Sequence, residues 1–218
     1  MKAEILATGS TGNAVILNRH ILIDIGIAYR PLKSRQNDLK IVLLSHIHGD
    51  HYKPSTVKSL SSARPSLRWA CGEWMVDALL KSKVSKTQID VLEMGKIYDY
   101  GYFCIEPFSL KHDVPNCGWK IYFDGKKAIY ATDTGNLNGV EAKDFDLFLL
   151  EANHDETELQ EIIKSKEAAG EFAYEKRVMY THLSYQQAND FIYANAGPNS
   201  EYIYLHQHQE RTMNHEHD

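Results

Sequence analysis

Three histidines and an aspartate lie within six positions of the 218-residue chain, in the stretch SHIHGDH that follows an apolar run. Imidazole and carboxylate are ligands that zinc and manganese accept. His46 and His48 are two positions apart and can serve one ion, whereas the adjacent Asp50 and His51 diverge and can reach a second. Two ions about 3.5–4 Å apart suit displacement at phosphorus or hydrolysis of an acyl bond. The stretch therefore predicts part of a two-ion hydrolytic site.

Three more candidate ligands follow, each predicted at the end of a strand: His112 in SLKHD, Asp133 in YATDTG and His182 in MYTHLS. Together with the first four they give seven nitrogen or oxygen ligands for two divalent ions, Zn2+ or Mn2+. The predicted assignment places His46, His48 and His112 on one ion, Asp50, His51 and His182 on the other, and Asp133 between them.

The elements that must position these residues are short strands and amphipathic helices. AEILATG, NAVILN and HILIDIG predict an antiparallel meander, and KIVLLSH predicts the buried strand that leads into the histidine motif. RVMYTHLS is also predicted as a strand. Strands occur in two groups, each followed by helices, which favours two sheets packed face to face with helices outside. Residues 1–205 are predicted to form one domain, and 206–218 a polar, histidine-rich C-terminal tail.

Composition narrows the class of protein. The formal net charge of −5 argues against a protein that coats long nucleic acid, but it permits a nucleotide or a strand end as substrate, because bound cations reverse the local charge. No apolar run approaches the roughly 20 residues that a membrane-spanning helix needs. The three cysteines show no CxxC spacing, which favours reduced thiols and a cytoplasmic location.

The order HxHxDH, then His, Asp and His, resembles the metallo-β-lactamase superfamily over nearly the whole chain. This resemblance implies an α/β (α+β) fold, a four-layer αββα sandwich. GSTGNAVIL and ILIDIG look like the first hairpin strands of that family, and Asp24 is then expected to support the ligands from behind.

The branch of the superfamily follows from smaller motifs. His51 argues against true β-lactamases, His48 argues against flavodiiron oxidoreductases, and no GHTPG-like loop of the glyoxalase-like thioesterases occurs. HDVPNCGW is similar to a segment of RNase Z-like phosphodiesterases. GSTGNA, IEPFSLKHD, TDTG, LLEANHD and THLS resemble the WalJ (YycJ) group of DNA exonucleases. The chain departs from that group in its shorter length, in having GW and EAN where GF and ESN are common, and between residues 154 and 182.

The resemblance implies a binuclear phosphodiesterase that hydrolyses DNA or RNA ends through a metal-bridging hydroxide, which Asp50 orients. The leaving oxygen needs a proton, and His154 in EANHDE is the predicted general acid, oriented by Glu151. In an alternative interpretation, Asn153 or Asp155 caps the following helix and His154 is only a neighbour.

Other functions stay open at this point. A cyclic-nucleotide phosphodiesterase of the phage anti-defence type would use the same chemistry on a small nucleotide. A thioesterase or lactonase would use the two ions on an acyl bond, and a metal-stabilised binding module would have no activity. The expected partner is a nucleic acid end or a small nucleotide, with no membrane, and a homodimer is expected.

Overall fold

The computed structural model describes residues 1–207, which form two six-stranded sheets. The first sheet has the order β1-β2-β3-β4-β5-β6, with strands Ala3–Ala7, Ala14–Leu17, Ile21–Ile23, Ile41–Leu44, Arg68–Cys71 and Ile89–Val91. The second has the order β12-β11-β10-β9-β8-β7, and in chain order its strands are Tyr98–Asp99, Phe103–Leu110, Asn116–Phe123, Lys126–Ala131, Phe145–Glu151 and Ala196–Leu205.

Two helices follow strands of the first sheet, and three lie between the last two strands of the second. They are α1 (Pro54–Ala63), α2 (Val76–Lys81), α3 (Glu156–Ala168), α4 (Glu175–Thr181) and α5 (Tyr185–Asn195). Pro54 lies in the first turn of α1, where its missing N–H is not needed. The Asp155 side chain caps α3 by accepting from two backbone N–H groups, as in the alternative interpretation of EANHDE.

Three apolar clusters show how the sheets and helices stack into layers. One joins the first sheet to α1 and α2, for example through Leu22 and Leu60. A second lies between the sheets and includes Leu43 and Trp119. A third covers the far face of the second sheet and includes Ile192 of α5. The order of layers is therefore helix, sheet, sheet, helix, which confirms the predicted four-layer sandwich.

The strand predicted for RVMYTHLS is wrong. Residues 177–181 of this stretch belong to α4, which ends at Thr181, and His182 follows as the C-cap. Its β-branched and aromatic residues favour a strand locally, but Val178 and Met179 pack against Leu159 and Ile163 of α3. Packing against a neighbouring helix overrides the local preference of a short segment.

Strand direction determines where the site forms. β8 and β10 are both antiparallel to β9, and β10, β11 and β12 are mutually parallel, so four strands of the second sheet run the same way. Their carboxyl ends share one edge, and the residues that follow them are brought together there. The loop after β4 of the first sheet carries the HxHxDH motif to the same place.

Candidate metal centre

Three histidines form what we term the imidazole cluster: His46, His48 and His112. One ring nitrogen of each lies within 4.8 Å of the others. His48 Nδ1 is 3.3 Å from His112 Nε2, and His112 Nδ1 donates to the carbonyl of Thr181 at 3.1 Å. That bond fixes the tautomer of His112 and leaves its Nε2 lone pair facing the cluster.

Four residues form the mixed cluster, again with one ligand atom of each within 4.8 Å of the others: Asp50, His51, Asp133 and His206. His51 Nε2 is 2.8 Å from Asp133 Oδ2, and His206 Nε2 is 3.2 Å from Asp50 Oδ2. The two clusters are adjacent, since the ring centroids of His46 and His51 are 4.3 Å apart. Asp133 has a φ of +57°, a left-handed conformation that is uncommon outside glycine and is found at functional sites.

A third group overlaps the mixed cluster and adds a histidine–carboxylate pair. His182 Nδ1 donates to Glu151 Oε1 at 2.5 Å, and Glu151 Oε2 accepts from the backbone N–H groups of Thr134 and Leu183. His206 Nδ1 is 3.3 Å from the same Glu151 Oε1. Glu151 therefore supports two histidines at once.

The donor atoms fit divalent metal ions. Among residues 1–207, the buried His46 Nε2 has no hydrogen-bond partner, and neither has Asp133 Oδ2, although His51 Nε2 is close to it. Buried polar atoms without partners are costly, and a cation coordinated between them removes that cost. Imidazole and carboxylate donors in two adjacent groups suit zinc or manganese.

A buried carboxylate, that of Asp24, lies next to both clusters and hydrogen-bonds to residues that position their histidines. Asp24 is fully buried and accepts hydrogen bonds from His51 Nδ1 at 2.7 Å, from Tyr130 Oη and from the backbone and hydroxyl of Ser45. The Ser45 hydroxyl is in turn 3.0 Å from His46 Nδ1. Asp24 thus orients ligands of both clusters, which is the supporting position that the resemblance implied.

The protonation of the histidines differs between the clusters. Burial lowers the pKa of His46 to about 3, and it also lowers the pKa of His112. Burial acts the same way on His206, but hydrogen bonds to Asp50 and Glu151 outweigh it and raise the pKa of His206 to about 10. The charges of Asp133 and Asp24 likewise outweigh burial and raise the pKa of His51.

The structure groups the predicted residues differently in one respect. The prediction placed His182 beside Asp50 and His51, whereas the structure places His206 there and pairs His182 with Glu151. His206 is the first residue of the predicted polar tail, yet it is buried. It follows the strand YIYL, and this strand-end position is the signal that would have found it. The rest of that tail, from residue 208, lies outside the described residues.

In the described part of the chain, no hydrogen bond joins His154 to Glu151. The Nδ1 atom of His154 is buried without a partner, and its backbone lies beside Ser184. Burial lowers the pKa of His154. The orientation of His154 by Glu151 stays a prediction, and in this structure both oxygens of Glu151 bind His182, His206 and backbone N–H groups.

A family model described as "Beta-lactamase superfamily domain" matches residues 19–196. The chain belongs to this superfamily. Exodeoxyribonuclease WalJ of Streptococcus pneumoniae is 28% identical over 226 aligned residues, which cover 94% of this chain and 80% of that protein. The family and the donor set confirm the prediction of a metal-dependent hydrolase.

Two solved structures share the fold. The metallo-β-lactamase fold protein YhfI of Bacillus subtilis superposes with a TM-score of 0.70 at 17% identity, over 94% of this chain and 85% of that one. The short form of human tRNase Z gives a TM-score of 0.68 at 18% identity, over 96% and 93% of the two chains. At these identities the likeness shows the fold alone. No helix among the described residues is long and apolar enough to cross a membrane.

Proposed function

We propose that the protein is a phosphodiesterase that uses two divalent metal ions, Zn2+ or Mn2+, to hydrolyse phosphodiester bonds at the ends of DNA or RNA. The observation behind this proposal is the His182–Glu151 pair beside two donor clusters. His182 lines one cavity of about 300 Å³ together with members of both clusters: His48, His112, Asp50, Asp133 and His206. The exodeoxyribonuclease name of the WalJ relative supports the choice of nucleic acid. A homodimer stays a prediction.

The ligands divide between the clusters. His46, His48 and His112 would hold one ion, Asp50, His51 and His206 the other, and Asp133 would lie between them. Two bound ions would supply Lewis acidity, which would make a water more acidic and neutralise charge on a phosphate. Hydrogen bonds from His206 and His51 outweigh burial and lower the pKa of Asp50, so its carboxylate is ionised and can orient the attacking water.

His182 is the proton donor in this proposal, in place of His154. Burial lowers the pKa of His182, but the hydrogen bond and the charge of Glu151 outweigh this effect and raise it above the ordinary value. With Nδ1 bound to Glu151, Nε2 is the ring atom that can give a proton to the leaving oxygen. A nucleotide leaves as an alkoxide, which is a poor leaving group without that proton.

The test compares substrates with good and poor leaving groups. Zinc- or manganese-loaded protein is assayed on bis-p-nitrophenyl phosphate, on 5′-labelled single-stranded DNA, on cyclic mononucleotides and on p-nitrophenyl acetate. We expect the His182→Gln variant to lose about 100-fold or more on DNA but much less on bis-p-nitrophenyl phosphate, because p-nitrophenolate leaves without a proton. His154→Gln is the matched control, and metal content is measured for each variant.

The outcomes separate the candidate functions. Hydrolysis of the acetate ester without any phosphodiester cleavage would replace the proposal with a thioesterase or lactonase. Cleavage of cyclic mononucleotides but not of DNA would replace it with a cyclic-nucleotide phosphodiesterase. If His154→Gln shows the leaving-group dependence and His182→Gln does not, the proton donor is His154.

A further inference from the structure

The helix α4 forms one wall of the metal cavity. Tyr174, which precedes it, and Arg177 and Thr181 within it line the cavity together with His48, Asp50, His112, Asp133, His182 and His206. The mechanism proposed above uses neither Tyr174 nor Arg177. This wall belongs to the segment between residues 154 and 182, where the motifs of the exonuclease group do not extend.

Two contacts hold α4 against the metal centre. The carbonyl of Thr181 accepts the hydrogen bond from His112 Nδ1. A Cβ atom built at Gly135 would lie 2.0 Å from the carbonyl oxygen of Tyr180, so the loop that follows Asp133 reaches the last turn of α4 only because residue 135 is glycine. The backbone of α4 therefore has a fixed position relative to the donor clusters.

Arg177 presents a guanidinium at the mouth of the cavity. Its side chain is 72% exposed and its partner among the described residues is Asp113. Asp113 Oδ1 is itself 3.1 Å from His112 Nε2, which places the arginine one side chain away from the imidazole cluster. A guanidinium fits two oxygens of a phosphate in a bidentate geometry, and an exposed pair with Asp113 is weak enough to be exchanged for such a contact.

Tyr174 presents an aromatic ring beside that arginine. Tyr174 is 56% exposed, and Lys166 Nζ lies 4.9 Å from the centroid of its ring. The lysine holds one side of the ring in place while a large part of its surface stays open. Phe172 and Tyr180 on the same segment are exposed as well. Exposed aromatic rings interleaved with cations are typical of surfaces that bind single-stranded nucleic acid, because every base has a face that can stack.

We infer that Tyr174 and Arg177 form a subsite for the single-stranded segment next to the scissile phosphate. Arg177 binds the neighbouring phosphate and Tyr174 stacks on a base. This inference rests on the proposed function and specifies its substrate: a strand end with at least one unpaired nucleotide, instead of a compact small molecule that contacts the donor clusters alone. The overall acidic charge does not oppose it, because the contacts are local.

The test uses Tyr174→Ala and Arg177→Ala, each with a matched control. Tyr193→Ala removes a tyrosine that is 93% exposed on α5, and Arg19→Ala removes an arginine that is 78% exposed and paired with Asp38. Neither control residue lines the cavity. For the metal-loaded proteins, kcat/KM is measured on 5′-labelled single-stranded DNA and on bis-p-nitrophenyl phosphate, and Kd is measured by fluorescence anisotropy on a phosphorothioate oligonucleotide.

We expect each subsite variant to lower the ratio of kcat/KM on DNA to kcat/KM on bis-p-nitrophenyl phosphate by about 10-fold, mainly through a higher KM, and to weaken oligonucleotide binding by a similar factor. The Tyr193 and Arg19 controls should keep the wild-type ratio.

If the wild-type protein cleaves both substrates and the subsite variants keep its ratio, this inference is overturned while the phosphodiesterase stands. If the wild-type protein cleaves neither substrate, the proposed function itself fails. An equal loss on both substrates would make these residues part of the metal centre and overturn the subsite. A change of oligomeric state on size exclusion with light scattering, without a change in oligonucleotide binding, would make the α4 wall a subunit contact and overturn it too.

Discussion

Buried histidines occur in both the imidazole cluster and the mixed cluster, but their pKa values are shifted in opposite directions. In the first, three imidazoles face each other and burial lowers the pKa of His46 to about 3. In the second, carboxylates surround the imidazoles and raise the pKa of His206 to about 10. The neighbours therefore decide the protonation of a histidine. The imidazole cluster is ready to accept a cation, whereas the mixed cluster is closed by its own ion pairs and must exchange protons for metal.

The largest effect is expected for Asp133→Asn, which removes the charge that distinguishes the mixed cluster but keeps the size of the side chain. Asp133 Oδ2 lies 2.8 Å from His51 Nε2, and Oδ1 lies 3.5 Å from His206 Nε2. We expect phosphodiesterase activity to fall more than 100-fold and metal content to fall from about two ions per chain to about one. Metal analysis by mass spectrometry and kcat/KM on bis-p-nitrophenyl phosphate measure the two effects.

His48→Ala is the counterpart in the imidazole cluster. It should also lose about one ion, but from the other cluster. If Asp133→Asn keeps both ions and its activity, the carboxylate does not define the mixed cluster and the contrast between the clusters is lost.

An intermediate effect is expected for Asp24→Asn. Asp24 accepts the hydrogen bond from His51 Nδ1 directly, whereas it reaches His46 only through the Ser45 hydroxyl. Loss of a carboxylate that orients a metal-binding histidine typically costs 10- to 100-fold in metal affinity. We therefore expect isothermal titration to show that loss for the mixed cluster and a smaller one for the imidazole cluster.

Tyr130→Phe is the control for Asp24→Asn, since it removes one hydrogen bond to Asp24 and leaves the one from His51 in place. Equal losses of affinity in both clusters would mean that Asp24 acts on the fold of the loop as a whole and not on His51.

The two clusters also differ in how far the sequence predicts them. Most of the imidazole cluster lies in HxHxDH, where two ligands are two positions apart, so spacing alone brings them together. The mixed cluster takes His206 from the end of the last strand, 156 positions after Asp50. Only the shared direction of β10, β11 and β12 brings it there. A polar stretch after His206 hid this position, because composition suggested a tail.

The α4 region shows a second limit of sequence-based prediction. Its local residues favour a strand, and only the apolar surface of α3 makes it a helix. Because this stretch was predicted as a strand, His182 was predicted at a strand end, like the other ligands, whereas it follows a helix. The first sheet was predictable because short apolar strands separated by turns are local signals, as in the antiparallel meander of β1, β2 and β3.

The smallest expected effect is the number of protons released when metal binds. At pH 7 the metal-free mixed cluster holds a proton on His206, and the raised pKa of His51 favours a second one. A metal must displace these protons, so binding at this cluster should release about one or two protons at pH 7, and fewer as the pH approaches 10. His46 is already neutral, so affinity at the imidazole cluster should change little above pH 7.

Calorimetric titration of zinc in two buffers with different ionisation enthalpies counts the protons released at each cluster, and Asp133→Asn isolates the imidazole cluster. The sign is checked independently in the metal-free protein. Since the pKa of His206 is raised from 6.5 to about 10, its contribution to stability is complete below pH 6.5 and disappears as the pH rises through 10. Equal proton release at both clusters would show that the carboxylates do not govern the protonation of the mixed cluster, and the difference between the two sites would then lie in geometry alone.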